Sequence, residues 1–241
     1  MALLEVEGVS KAFGGVRAVR EVSFSVGEGE IVGVMGPNGS GKTTLFNLVT
    51  GALAPDAGRV GLEGEEITGL SPHRICAKGI ARTFQLVRPF PGLTALENVL
   101  VGVLYGRRPL PWRRARAETE RLLATVGLGG KGDLPAARLT AIDRKRVELA
   151  RALATAPRVL LLDEFMAGLN PAEAGECIGL IRAIRQEGIT VVMVEHIVWA
   201  LFDLSDRIVV LSAGEKIAEG PPAAVAKDPT VLDVYLGASH A

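Results

Sequence analysis

Several features that define large protein classes are scarce in this sequence of 241 residues. Its only two cysteines, Cys76 and Cys177, lack the spacing of a disulfide framework or a metal-binding pair, so we expect two apolar side chains in a reducing compartment. The 27 basic and 27 acidic residues cancel, so no net field draws the whole chain to nucleic acid or to an anionic membrane. We therefore expect no nucleic-acid partner.

Long apolar runs are also missing. The longest runs, residues 99–105 and 197–202, fall far short of the roughly 20 residues that cross a bilayer. The first five residues have neither the basic nor the apolar segment of a signal peptide, so we expect a cytoplasmic chain that reaches a membrane only through a partner. Aromatic residues make up only 5% of the chain, which predicts a core of Val, Leu, Ile and Ala.

A glycine-rich loop at residues 36–44 is the most informative segment. It follows an apolar run that predicts a buried strand, and it precedes a helical pattern that begins at Lys42. This context is typical of a phosphate-binding P-loop, in which glycines let backbone N–H groups face an anion and a helix N-terminus adds further donors. The predicted nucleotide-binding residues of the loop are Gly36, Pro37, Asn38, Gly39, Ser40, Gly41, Lys42, Thr43 and Thr44.

The remaining patterns predict an α/β protein. Short alternating strands occupy the first 35 residues, and strand–helix alternation returns after Pro157, which favours a parallel sheet covered by helices. Between them, strand patterns vanish and helical segments follow, which predicts a helical insertion. We expect one domain over residues 4–237, divided into a P-loop core with an antiparallel β subdomain (1–70), a helical subdomain (86–156) and the second part of the core (157–237).

One part of that insertion is strongly basic. Residues 107–121 contain six arginines and two glutamates. Such a run is usually a solvated helix face, and the alternative is a contact surface for a partner subunit or for lipid headgroups.

Polar residues at predicted strand ends suggest the chemistry. Asp163 and Glu164 close an apolar strand, which would deliver them to the same sheet edge as the P-loop. Lys42 can reach the β- and γ-phosphates, Thr43 and Asp163 can hold Mg²⁺, and Glu164 can polarise the attacking water. Gln85, after a predicted strand at residues 80–84, could reach the metal or that water, and His196 could contact the γ-phosphate. Taken singly, the acidic pair could be a helix cap and His196 a structural residue.

In this order along the chain, these residues resemble the ATPase subunits of ABC transporters, and the resemblance spans essentially the whole sequence. It implies a P-loop NTPase fold with a RecA-like parallel-sheet core, an antiparallel β subdomain and an inserted helical subdomain. It also implies ATP and Mg²⁺ as cofactors and Phe13 stacked on adenine, although Phe13 could instead pack a turn. The segment after Gln85, residues 86–93, would dock a permease loop.

A narrower resemblance, to branched-chain amino-acid importer ATPases of the LivG type, rests on residues 79–85, 90–99, 166–173 and 234–237. It implies a second ATPase subunit, in a homo- or heterodimer, that meets Thr140, Ala141, Ile142 and Asn170. Two membrane permeases and, indirectly, a periplasmic or extracytoplasmic solute-binding protein complete the implied assembly at the cytoplasmic face of the inner (plasma) membrane. The alternatives are a soluble ABC-type ATPase without a transporter and a nucleotide-gated binding module that hydrolyses little ATP.

The signature segment departs from the family pattern. Where the family has Leu-Ser-Gly-Gly-Gln, this chain has Leu139, Thr140, Ala141, Ile142 and Asp143, and Asn170 replaces the usual Asp of the D-loop. Because this segment contacts ATP held by the other subunit in the family, β-branched Ile142 should hinder close approach and Asp143 should bring like charge toward phosphate. These changes predict an asymmetric heterodimer, although both sites could still work if the helix N-terminus alone suffices.

Overall fold

The computed structural model describes residues 2–85 and 89–236. Within these ranges ten strands and nine α-helices alternate, with one short 3₁₀ helix at Ala136–Arg138. The strands are β1 (Ala2–Phe13), β2 (Val16–Gly27), β3 (Ile31–Met35), β4 (Ala57–Leu62), β5 (Glu65–Glu66), β6 (Ile80–Arg82), β7 (Val159–Asp163), β8 (Thr190–Val194), β9 (Arg207–Ser212) and β10 (Glu215–Gly220). The helices are α1 (Lys42–Val49), α2 (Pro72–Lys78), α3 (Ala95–Tyr105), α4 (Trp112–Thr125), α5 (Ala141–Leu153), α6 (Pro171–Gln186), α7 (Val198–Leu204), α8 (Pro222–Val225) and α9 (Pro229–Leu236).

The chain forms two compact units, and the first comprises residues up to 75 together with those from 190 onward. Its first sheet is antiparallel, in the order β2-β1-β4-β5. In its second group of strands, β3 lies between β8 and β9 and is parallel to both, while β10 is antiparallel to β9. All five residues of β3 are buried, as expected of a central parallel strand that is covered on both faces.

The second unit, residues 76–189, holds the parallel pair β6–β7 and the four longest helices of the described chain. Helix α6 shows how local sequence sets an element. Asn170 caps it with a reciprocal capping box to Glu173, Pro171 occupies its first turn, and Gly188 follows it at φ +87°. The helix buries one apolar face, formed by Ala174, Cys177, Ile178, Ile181 and Ile184.

Most predicted elements are present, and two of the boundaries that differ bear on the site. The strand predicted at residues 80–84 ends at Arg82, although the Thr83 amide still donates to the Leu161 carbonyl, 2.9 Å away. Gln85 therefore lies in a loop beyond the strand. The helical pattern predicts a start at Asp143 for α5, but the helix begins at Ala141, because the Thr140 side chain caps it by accepting from the Asp143 amide at 3.2 Å.

Candidate active site

The P-loop joins β3 to α1 in a backbone shape that requires glycine. Gly36, Gly39 and Gly41 have φ angles of +156°, +79° and +104°. A Cβ atom on Gly36 would lie 2.2 Å from the Leu211 carbonyl oxygen, and one on Gly41 would lie 2.4 Å from that of Ala18. The sequence therefore bends the loop into a cradle whose backbone amides can face an anion at the start of α1.

Lys42 is buried within this cradle. Its Nζ atom donates hydrogen bonds to the carbonyl oxygens of Gly36, at 2.7 Å, and Pro37, at 2.9 Å. Ser40 is also buried, whereas Asn38 and Thr43 are exposed at the loop surface. The arrangement places one ammonium group inside the loop and leaves a hydroxyl outside it, as binding of a phosphate chain with a metal ion requires.

Tyr235 of α9 is a further residue at this loop, for which the sequence patterns predict no role. The Tyr235 side chain forms a hydrogen bond with the Gly36 backbone, while its partial burial raises the pKa of the phenol. Its position in the segment 234–237 was the only sequence signal, and Gly237 lies outside the described residues.

His196 shares the sheet edge of the P-loop. Strand β8 pairs in parallel with β3, with Val194 opposite Val34, so both strands run out at the same edge. His196 follows β8 and is exposed.

Phe13, the predicted adenine-stacking residue, lies at the end of β1. Its side chain is 47% exposed, and the Lys11 ammonium lies 5.9 Å from its ring centroid. The roles of His196 and Phe13 toward nucleotide remain predictions.

The second unit brings together the acidic pair and Gln85. Asp163 is the last residue of β7, and Glu164 follows it in a left-handed backbone conformation with φ +50°. This conformation costs a residue other than glycine about 1–3 kcal/mol, so the surrounding structure must hold Glu164 in it. The Gln85 Nε2 atom donates to Glu164 Oε2 at 2.6 Å, so the predicted water-activating carboxylate and the predicted glutamine are in direct contact.

Arg82 is a neighbour of this cluster that sequence reasoning missed. Its Nη2 atom lies 2.6 Å from Asp163 Oδ2 in a buried ion pair. A cation inside the otherwise apolar β6 pattern was the available signal. The other oxygen, Asp163 Oδ1, is buried without a hydrogen-bond partner among the described residues. An unpartnered carboxylate oxygen suits a hard cation or a water bound to one, so the cluster fits Mg²⁺.

Glu148 of α5 also reaches the Gln85 segment. Its Oε1 atom accepts from the Phe84 amide at 3.1 Å, one residue before Gln85. The side chain is buried, and burial raises its pKa from 4.5 to about 7 against the opposing effects of the Phe84 amide, Arg151 and Lys145. Helix α5, which follows the signature segment, and the loop that contains Gln85 are therefore joined through one carboxyl group.

The first turn of α5 shows why Asp143 does not act as a free negative charge. Asp143 is buried, and its carboxylate lies 2.8 Å from the Lys131 ammonium, so the charge is compensated within the unit. The expected repulsion of phosphate by Asp143 therefore loses its basis. Thr140 and Ala141 are exposed and Ile142 is half-buried. The expectation that Ile142 hinders close approach to the ATP of the other subunit therefore stays a prediction.

The side chain of the D-loop residue Asn170 caps the N-terminus of α6. Its Oδ1 atom accepts from the Glu173 amide at 3.0 Å, and the Glu173 carboxylate accepts from the Asn170 amide at 2.9 Å.

The permease-docking segment, residues 86–93, lies only partly within the structure, because residues 86–88 fall outside the described residues. Phe90 of that segment is exposed, and the Asn98 side chain holds its backbone amide and carbonyl.

A strand, a glycine-lined phosphate loop and a lysine-bearing helix start, with an acidic pair at the end of a parallel strand, define a P-loop ATPase. Comparison with known families agrees, since residues 19–167 match the ABC transporter family. The chain belongs to this family of transporter ATP-binding subunits. A further match, over residues 215–241, is to the family described as branched-chain amino acid ATP-binding cassette transporter.

Among similar proteins, the high-affinity branched-chain amino acid transport ATP-binding protein BraF of Pseudomonas aeruginosa is 41% identical, with 98% of each chain covered. The LivG protein of Escherichia coli K12, with the same description, is 38% identical over 98% of each chain. The solved ADP conformation of MJ1267, an ATP-binding cassette of an ABC transporter, has a TM-score of 0.89 and 33% identity, covering 98% of this chain and 99% of its own. The α/β fold and the family predicted from sequence are thereby confirmed.

Proposed function

We propose that this protein is the Mg²⁺-dependent ATP-hydrolysing subunit of a membrane importer for branched-chain amino acids. The similarity to BraF and LivG over almost the whole of each chain carries the proposal. In this assembly the chain pairs with a second ATPase and lies on two permeases at the cytoplasmic face of the membrane, and a solute-binding protein supplies the amino acid. No helix among the described residues is long and apolar enough to cross a membrane.

Each residue of the site has a defined task in this proposal. The backbone amides of residues 36–44 and the Lys42 ammonium hold the phosphate chain and neutralise its charge. Glu164 orients and polarises the water that attacks the terminal phosphorus, and Gln85 fixes the carboxylate from 2.6 Å away. His196, at the P-loop edge of the sheet, contacts the terminal phosphate, and Phe13 stacks on the adenine.

Thr43 and Asp163 would hold the magnesium ion, with Gln85 as a third contact. The bound ion supplies charge neutralisation to the β- and γ-phosphate oxygens. The Arg82 guanidinium fixes one Asp163 oxygen and leaves the other, Oδ1, for the ion or its water.

The catalytic part is tested with Glu164→Gln in the assembled transporter, with Glu187→Gln at the exposed end of α6 as a matched control. Loss of a positioned base should lower ATP turnover by about 10²–10⁴-fold while ATP binding persists. The control should keep wild-type turnover. Normal turnover in Glu164→Gln would remove the assigned role, and no turnover in the wild-type assembly would favour a nucleotide-gated binding module. Uptake of labelled leucine by reconstituted vesicles tests the transported solute.

The signature segment supports a second part of the proposal, in which the two ATP sites of the dimer differ in their rates of hydrolysis. Ile142 and Ala141 face the ATP of the partner subunit in place of two glycines, and their side chains keep the backbone of α5 away from that phosphate. The ATP held by this P-loop is completed by the partner and hydrolysed. Glu164→Gln should then abolish nearly all turnover, whereas the equivalent change in the partner should have little effect. Equal losses from the two changes would refute the asymmetry.

A further inference from the structure

The connection between α3 and α4 displays an unusual surface. We define the aromatic–arginine loop as residues 105–116, which contain five arginines and no acidic residue in a chain whose net charge is zero. Tyr105 is 83% exposed and Trp112 is 66% exposed. Arg108, Arg113 and Arg114 are also exposed. Two large exposed aromatic side chains therefore lie in the same short segment of chain as these arginines.

The base of this loop is held firmly by the second unit. The Arg107 amide donates to the Thr155 carbonyl at 3.0 Å, and the Leu110 amide donates to the Val103 carbonyl at 3.2 Å. Arg107 itself is half-buried, with Nη1 3.4 Å from the Ala156 carbonyl oxygen. The anchored backbone keeps the tip presented outward, so its side chains are displayed rather than folded back.

The charges of α4 fall into two contrasting parts. From Arg116, the last residue of the aromatic–arginine loop, onward, each cation has an acidic neighbour, as in the pairs Arg116–Glu120 at 3.0 Å and Arg121–Glu118 at 2.8 Å. Before Arg116, no carboxylate of the described residues lies within ion-pair distance of Arg113 or Arg114, nor of Arg108 in the preceding loop.

The start of α4 also departs from a local electrostatic preference. The first turn of α4 contains no acidic residue, although the exposed amides there favour negative charge and oppose arginine. An ordinary solvated face, such as α4 from Arg116 onward, intersperses both signs. A segment that concentrates one sign against the helix field, with exposed tryptophan and tyrosine, instead fits an anionic partner.

We infer that the aromatic–arginine loop binds the anionic headgroups of a lipid bilayer. Arginine pairs with phosphate oxygens, while tyrosine and tryptophan settle at headgroup depth with the ring in the apolar boundary and the polar atom in water. Arginine and aromatic residues are also enriched at protein interfaces, so an acidic protein surface is the competing occupant that the test must distinguish. The inference adds a direct lipid contact to the proposed assembly and does not require the proposed substrate or ATP turnover.

The test uses the complete purified chain and vesicles of phosphatidylcholine, with and without about 30% phosphatidylglycerol. The chain should sediment with the anionic vesicles only, and about 0.5 M salt should release it. Removing two charges in Arg113→Gln/Arg114→Gln should lower partitioning about 30-fold, whereas the matched control Arg74→Gln/Lys227→Gln, at exposed positions elsewhere, should lower it less than threefold. Circular dichroism should show unchanged folding in both, because glutamine is tolerated in an exposed first turn.

A fluorescence measurement reports the aromatic contact separately. The chain has two tryptophans, so in Trp199→Phe the emission comes from Trp112 alone. That emission should shift to the blue on anionic vesicles and not on neutral ones. Equal binding to neutral vesicles, no effect of the arginine substitutions, or an unmoved Trp112 emission would overturn the inference. So would a result in which no vesicle binds the chain while Arg113→Gln/Arg114→Gln prevents assembly with permeases in detergent, because the partner would then be a protein.

Discussion

Glu148 makes the folding stability of this protein depend on pH in a direction opposite to that of most carboxylates. The side chain is 3% exposed, and burial raises its pKa from 4.5 to about 7. The folded chain therefore keeps a proton that the unfolded chain releases between these two values. The free energy of unfolding contributed by this group must fall as pH rises from about 4.5 to about 7.

The size of the effect follows from the two pKa values. Each pKa unit corresponds to about 1.4 kcal/mol, so the interval between 4.5 and about 7 amounts to about 3 kcal/mol at pH 8. At pH 5 most of this penalty is absent, since Glu148 is protonated in the fold and only starts to ionise in the unfolded chain. Glu148→Gln removes the penalty and retains a carbonyl oxygen that can accept from the Phe84 amide.

Urea unfolding of the wild type and of Glu148→Gln, at intervals between pH 5 and pH 8, measures this difference. The variant should gain about 2–3 kcal/mol relative to the wild type across that range. The exposed substitution Glu187→Gln serves as the control for loss of a carboxylate outside this contact. Parallel profiles for Glu148→Gln would refute the reasoning, because they would mean that Glu148 has the same pKa in the folded and unfolded chain.

Three further predictions concern the scaffold, each measured by urea unfolding at neutral pH. Asn170→Ala should lose about 1 kcal/mol because it removes the α6 cap, and Asn170→Asp, which restores an acceptor, should recover most of it. Gly33→Ala should cost about 1–3 kcal/mol, since its Cβ would lie 2.6 Å from Ser205 Oγ, whereas Gly175→Ala in α6, with open space around it, should gain about 0.5–1 kcal/mol. Ile181→Ala should cost about 2–5 kcal/mol, because the side chain is fully buried. A stable Gly33→Ala, an unchanged Asn170→Ala, or an Ile181→Ala loss below 1 kcal/mol would contradict the packing described.

Sequence by itself determined the parts of this protein that depend on near neighbours in the chain. The P-loop shape follows from glycines at fixed positions, the start of α6 from Asn170, Pro171 and Glu173, and the buried β3 from a continuous apolar run. Spacing and residue type carry these features, because turns, caps and strand burial are local or periodic. For Gln85 and Glu164, the positions after two predicted strands predict only a shared target, the attacking water, and not their direct contact.

Tertiary structure alone decided which distant side chains meet. Arg82 pairs with Asp163, 81 positions along the chain, and Glu148 holds the Phe84 amide from 64 positions away. Lys131 neutralises Asp143, which removes the basis for the phosphate repulsion expected from the charge of Asp143 in the sequence. The sequence gives the charge of each residue but not the partner that this charge meets in the fold. Burial beside a particular partner sets the pKa of a side chain. Burial also leaves Asp163 Oδ1 without a hydrogen-bond partner among the described residues, and therefore ready for a ligand.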